Sequence, residues 1–375
     1  MKRIDVLTRA GAVLLALAGA SLTGCATHVP YQAPPAFIHH GPVVGVDEVE
    51  VLSLSPEMRD FLQRYVTAYS NPDTRVILLT TAITDPAMLG FRYDSRRTLT
   101  AQQAFEQRTG NCIGFSNLVV ALARAAGLEA QFQEITLEPE WYSRDDTLMV
   151  AKHVNVRINV GVRSWAVDTS GVRTRPGDRR RLISDREALA LYYNNLAVDA
   201  LVAGDQYRAW AWLERSVATA PDLPDAWINL GVVYARNGQL EDAERMYQRV
   251  LKQHPEQSSA LSNLYALYES VDDQAAMARL APRVERYRQL NPYYLMVKGE
   301  EALDAGNYAA ARDWLGGAIE KKPGEHRFHF LLARAEFLDN DVALAEASLA
   351  RARELAPSDV AEDYARPLAE LSTDP

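Results

Sequence analysis

The chain has 375 residues, 48% of them apolar and 24% charged, with 18 prolines and 20 glycines. This is ordinary globular usage and excludes a disordered, collagenous or disulfide-scaffold protein. The net charge of −9 argues against nucleic acid as a partner, because phosphate contacts need clustered positive charge.

Residues 1–24 read as a signal peptide. Lys2, Arg3 and Arg9 form a positive start. Ala10 to Leu22 is an apolar run too short to span a bilayer, which takes about 20 residues. The run ends in Leu22-Thr23-Gly24-Cys25, which resembles the bacterial lipobox. The resemblance implies cleavage before Cys25 and a lipid on its sulfur, so a membrane partner is expected through an N-terminal anchor. Ala26 follows rather than Asp, which points to the outer membrane, facing the periplasm. Residues 25–50 contain four prolines and no helical period, and read as a tether. With Cys25 acylated, Cys112 has no partner in its own chain. It is either buried and inert or kept for chemistry.

Residues 51–185 have the texture of an α+β domain. Ser55-Pro56-Glu57 starts a helix reaching about Ala68, and a second is expected over Thr74 to Ile83. Thr100 with Gln103 forms a capping box for a third. Phe115, Leu118, Val119, Leu122 and Ala126 mark one face of a fourth, which ends at Gly127. Cys112 then sits at a helix N-terminus, where free N–H groups and the helix dipole favour the thiolate. Strands are expected over Gln131 to Leu137, Met149 to Val160 and Ser164 to Asp168. His153, Asn155 and Arg157 would share one face of the middle strand. A tight turn at Val160-Gly161 would set His153 directly opposite Asp168. That arrangement gives a nucleophile, a base and a group to orient the base.

The segments RTGNCIGFSNLVVALARAAGLEAQ, KHVNVRI and WAVDTSG together resemble the transglutaminase-like superfamily, a branch of the papain-type cysteine hydrolases. The resemblance covers roughly residues 95–172. It implies Cys112 as nucleophile, His153 as base and Asp168 as its orienting group, with no metal and no cofactor. Val154-Asn155 departs from the small residue and Trp that follow the His in many relatives. Trp141, Tyr142 and Trp165 line a cleft or fill core, and Asp145-Asp146 reads as an exposed loop. Arg173, Arg175, Arg179, Arg180 and Arg181 form a basic cluster in a linker, solvated, paired with the acidic repeats or set against anionic lipid headgroups.

Residues 186–357 repeat. Trp227-x-x-Leu230-Gly231-x-x-Tyr234, followed by Ala243, Tyr247 and Pro255, resembles the tetratricopeptide (TPR) pattern with its period of 34. Five units follow: 190–223, 224–257, a degenerate 258–291, 292–325 and 326–357. A capping helix and tail would complete residues 358–375. An all-α TPR solenoid is therefore expected behind the papain-like domain. Asn195, Asn229 and Asn263 sit 34 apart at a slot that faces the groove in such repeats. There carboxamides can pair with the backbone of a protein or peptide partner. His326 and His329 lie three apart on a predicted helix with no third ligand near, and no zinc-hydrolase or P-loop motif occurs.

Three functions suit these parts. The first is a lipid-anchored periplasmic cysteine peptidase or amidase whose repeats hold a protein or peptide substrate. The second is an inactive interaction adaptor of the cell envelope, and the third a protein transamidase.

Overall fold

The computed structural model describes residues 30–39, 45–144, 147–168, 179–357 and 360–364, and their side chains outside 136–152. The first four helices begin where short polar side chains take up the first unpaired N–H groups. Ser55 caps α1 (Pro56–Tyr65) and Asn71 caps α2 (Pro72–Thr84). Strand β1 (Arg92–Tyr93) precedes α3 (Ala101–Gln107), which Thr100 caps through the reciprocal bonds with Gln103. Strand β2 (Thr109–Gly110) pairs in parallel with β1. Asn111 then caps α4 (Cys112–Ala125), accepting from the Gly114 N–H.

Helix α4 is the centre of the first domain. Residues 113–123 are all buried, so the expected single apolar face is in fact a helix covered on every side. It packs on β3 (Glu129–Arg144) and β4 (Thr147–Val160). With β5 (Arg163–Val167) and β6 (Arg179–Ile183) these form an antiparallel sheet of order β5-β4-β3-β6. Strand β6 corrects the reading of Arg179, Arg180 and Arg181 as linker. They form the sheet edge, and Arg181 pairs with Glu134 on β3 and with Glu187 on the next helix.

Five helical hairpins follow: α5 (Asp185–Val202) with α6 (Gln206–Thr219), α7 (Pro224–Arg236) with α8 (Leu240–Gln253), α9 (Ser258–Ser270) with α10 (Gln274–Arg288), α11 (Pro292–Asp304) with α12 (Tyr308–Lys321), and α13 (His326–Leu338) with α14 (Val342–Leu355). Tyr193, Trp227, Leu261 and Leu295 are buried at one recurring slot, and Ala209, Ala243, Ala311 and Ala345 at another. Gly231 and Gly299 sit where paired helices touch. A Cβ on Gly231 would lie 2.3 Å from the Tyr247 ring, and one on Gly299 2.6 Å from Leu315. The third pair departs from the rest. Pro282 lies inside α10, and only Ala276 and Val284 of that helix are buried.

No linker separates the two regions. Arg124 at the end of α4 forms a two-pronged pair with Asp185 at the start of α5, at 2.6 and 2.9 Å. One hydrophobic core runs from the first domain through Leu267 on α9. A second, from Tyr293 to Ala335, fills α11, α12 and α13, and a small third one of Ala333, Leu349, Ala352 and Tyr364 joins α13 to α14.

The tether reading also needs correction. Residues 30–39 run extended along the first two repeats, and Val46 and Val49 bond to Arg215 and Tyr193. The signal peptide, Cys25, Arg173, Arg175, Asp145, Asp146 and the side chains of Trp141 and Tyr142 lie outside the described residues, as does most of 358–375. The stretch 360–364 is helical, with Tyr364 stacked on Phe330 at 4.8 Å. Among the described residues no helix is long and apolar enough to cross a membrane.

Candidate active site

Cys112 is the first residue of α4 and is partly exposed. The loop before it is fixed on several sides. Arg108 ends α3 in the left-handed region at φ 54°, a conformation that needs support from its surroundings when the residue is not glycine. That support comes from the β1–β2 pair and from the Asn111 N–H, which donates to the Arg97 carbonyl at 2.8 Å. The Asn111 side chain works in two directions. Its Oδ1 accepts from Gly114, and its Nδ2 donates to Thr98 Oγ1 at 2.9 Å. Gly114 lets this turn lie against the Leu99 backbone, which a Cβ would approach at 3.3 Å.

His153 comes from β4 and is 4% exposed. Strand β4 is tied to α4 beside it, since Ser116 Oγ donates to the Val154 carbonyl at 3.3 Å. Asp168 follows the last residue of β5. Its Oδ2 is hydrogen-bonded to His153 Nε2, and the Cys112 side chain is hydrogen-bonded to the same imidazole. With Nε2 engaged by the carboxylate, Nδ1 is the ring nitrogen left to serve the sulfur.

The route by which His153 meets Asp168 differs from the expected one. The ladder pairs Val160 with Arg163 and Val156 with Val167, so the two turn residues are Gly161 and Val162. Continued by one step, this register sets Asp168 opposite Asn155, not His153. His153 and Asp168 are diagonal neighbours on one sheet face, still within reach of an imidazole and a carboxylate.

Burial alone would push the His153 imidazole down. The Asp168 carboxylate and the Cys112 sulfur, each by hydrogen bond and by charge, outweigh it and hold the group up at about 9. At neutral pH the site therefore contains an imidazolium between two groups that carry or accept negative charge. Such a constellation can add a sulfur nucleophile to a carbonyl carbon and return a proton to the departing group.

Other residues stand apart from this centre. The Trp165 indole donates to Asp73 at 3.2 Å, and Arg163 pairs with the same carboxylate at 2.6 Å, so this end of β5 is pinned to α2. Asn195, Asn229 and Asn263 are partly buried on α5, α7 and α9, and Asn229 Nδ2 donates to Asn194 Oδ1 at 2.9 Å. His326 faces the Tyr364 hydroxyl, and His329 faces the Pro323 carbonyl. Phe328 fills the core there. The roles of Asn111 and Ser116 escaped the sequence reading, whereas Asn155 was placed beside His153 on one strand face. For Asn111 the signal was an Asn directly before an apolar helix. Asn155 is 3% exposed, and its Oδ1 has no partner among the described residues.

Comparison with known proteins agrees with this division of the chain. Residues 62–167 match the Transglutaminase-like superfamily, and residues 208–280 and 296–360 match tetratricopeptide repeats. A search of the curated proteins finds no match. Among solved structures, similar chains include MamA from Desulfovibrio magneticus RS-1, with 17% identity over 46% of this chain and 96% of that one and a TM-score of 0.30. A thermophilic TPR protein of Thermus thermophilus has 18% identity over 48% of this chain and 98% of its own, with a TM-score of 0.34. Both likenesses concern the repeats, and at these scores neither carries an argument about function.

Proposed function

Because the chain carries a transglutaminase-like domain followed by tetratricopeptide repeats, we propose that it is a cysteine hydrolase, a peptidase or amidase, acting on a protein or peptide that the repeats hold. The observation that carries this reading is the His153 imidazole, bonded to the Asp168 carboxylate and to the Cys112 sulfur. The Cys112 thiolate attacks an amide carbonyl, forming the carbon–sulfur bond and an oxyanion. The oxyanion meets the Cys112 N–H, which at the first helical position has no acceptor within the helix. His153 gives its proton to the nitrogen as the carbon–nitrogen bond breaks. Water, activated by the now neutral imidazole, then resolves the thioester. Asp168 keeps the ring oriented and stabilises its charged form.

A thiol-reactive probe tests the reading. Fast labelling at mildly acidic pH, lost in Cys112→Ser and strongly slowed in His153→Ala, is the expected result. Slow labelling in the unaltered chain would refute the hydrolase and leave an interaction adaptor.

Two further parts belong to the proposal. Asn195, Asn229 and Asn263, one on the first helix of each of three successive hairpins, would face the substrate backbone. Capture of substrate by a Cys112→Ala chain should weaken when all three are replaced by Ala. Cys25 would carry the lipid that holds the protein at the outer membrane, on the strength of Leu22-Thr23-Gly24-Cys25. Radiolabelled palmitate should enter the unaltered chain and not Cys25→Ser.

A further inference from the structure

Residues 30–39 touch the repeats in the manner of a bound peptide. Gln239 grips the backbone with both ends of its amide, Nε2 donating to the Ala36 carbonyl at 3.1 Å and Oε1 accepting from the Ile38 N–H at 2.9 Å. Asn237 Nδ2 donates to the Ile38 carbonyl at 2.9 Å, the Tyr234 hydroxyl to the Pro35 carbonyl at 2.5 Å, and Arg249 to the Pro30 carbonyl at 3.2 Å. Phe37 lies on Trp210 with ring centres 5.9 Å apart, between Tyr207 and Tyr234. Carboxamides and hydroxyls aimed at main-chain groups, with one aromatic shelf, are the chemistry of extended-peptide recognition.

The repeat pattern adds an independent sign. The residue before the second helix of each hairpin is Asp205, Gln239, Asp273, Asn307 or Asp341. Four of the five cap their helix with the side chain. Gln239 alone does not, and its amide bonds residues 36 and 38 together with the Asp242 carboxylate in the first turn of α8. One repeat has thus given up an ordinary cap at the position that holds the peptide.

The segment does not fill its site. Tyr31 is 43% exposed and Ile38 58% exposed. Beside Gln32, Ala33 and Pro35 a cavity of about 340 Å³ stays open. Its repeat-side wall includes Trp227, Arg245, Met246, Arg249 and Lys252. That is three cations and no carboxylate in the wall itself, although Asp242 pairs with Arg245 and Asp222 acts on Arg249 from outside the cavity. Only small or neutral side chains of the segment meet this wall.

We propose that this face of α6, α7 and α8 is a binding site for an extended peptide of a partner protein, carrying Pro-x-Phe preceded by an acidic residue, and that residues 30–39 occupy it in cis as a competing strap. Phe37 takes the place of the partner's Phe, and Ala33 stands where the partner's carboxylate would reach the cationic wall. The site is separate from the Asn195, Asn229 and Asn263 row. On α7, Trp227 and Asn229 are two residues apart and point to different sides of the helix. The proposal does not rest on catalysis, and a chain inactive at Cys112 would retain it.

The test uses the full chain and fluorescent synthetic peptides of residues 30–39, one of native sequence and one carrying Ala33→Glu. The strap competes at the high effective concentration of a tethered ligand. A Phe37→Ala chain should therefore bind the native peptide at least about tenfold more tightly than the unaltered chain does. The Ala33→Glu peptide should bind about three- to fivefold more tightly still, a gain that fades in salt and in Lys252→Ala. Adding Gln239→Ala to the Phe37→Ala chain should abolish binding of both. A Phe37→Ala chain that melts normally yet binds no more tightly than the unaltered one would overturn the proposal, because the segment would then be a fixed part of the fold. An Ala33→Glu peptide that binds no better would overturn the acidic specificity. A concentration-dependent dimer that Gln239→Ala disperses would overturn the partner, since two copies would then be exchanging straps.

Discussion

His153 carries the main electrostatic consequence at the candidate site. Its imidazole, ordinarily near 6.5, is held at about 9 against the effect of burial. In Asp168→Asn the carboxylate is gone and burial remains, so the imidazole should titrate well below 9. An NMR titration of the ring checks this. The same variant should keep its circular dichroism spectrum and lose most of its turnover, because an amide can hold the ring in the wrong tautomer and does not stabilise imidazolium. The sign for stability follows from linkage. A folded value above the unfolded one stabilises fully below about 6.5, and the contribution is lost as pH rises through about 9. The unaltered chain should therefore melt above Asp168→Asn at pH 6, and the gap should close between pH 7 and pH 10. The identities of Cys112, His153 and Asp168 were legible in the sequence, but their register was not. Gly161 has φ 58° and occupies the first central turn position, with Val162 exposed behind it. That Gly-x order suits a type II′ hairpin turn, whereas centring the turn on Val160-Gly161 shifts the register by one step along each strand.

Among elements, the paired helices of the second repeat give the sharpest packing test. Tyr247 lies over Gly231 so closely that any Cβ collides with its ring. Gly231→Leu should cost roughly 1–3 kcal/mol, read as a lower denaturant midpoint with an unchanged slope. Such helices were legible because each carries a periodic apolar face and a turn residue that accepts a positive φ: Gly204, Gly238, Gly306 and Asn340 at 63–81°. Strand β6 was not. Four of its five residues are exposed, and arginines that protect a sheet edge from pairing with other chains look, in sequence, like a solvated linker. The close seating of α5 on the first domain was legible in part, since the arginine cluster was expected to be solvated, paired with the acidic repeats or set against lipid headgroups, and Arg181 pairs with Glu187. Arg124 meeting Asp185 was not, because nothing in the sequence announces that these two residues are close.

At the scale of the whole molecule, the break between the first two hydrophobic cores falls at the junction of α10 and α11. The repeat matches also leave a gap there, over residues 281–295. Arg288 spans the junction, its guanidinium 4.3 Å from the Tyr265 ring centre and 5.1 Å from that of Tyr294. Two units that share little apolar surface should unfold separately. Calorimetry should resolve two transitions, the smaller one from the fourth and fifth hairpins, and Arg288→Ala should move them further apart. A single transition insensitive to Arg288 would mean that the cores are coupled. The strap, finally, is also a leash. Four residues, and so five Cα–Cα steps, separate Cys25 from Pro30, and a lipid at Cys25 would lie within roughly 17 Å of the docked segment. With the strap released and the chain held first at Val46, where Arg215 bonds its carbonyl, the same lipid could stand roughly 70 Å away. On the proposed lipid anchor and the proposed hydrolase, a partner peptide that displaces the strap would thereby change how far from the bilayer the Cys112 sulfur can work, and so which substrates fall inside its radius.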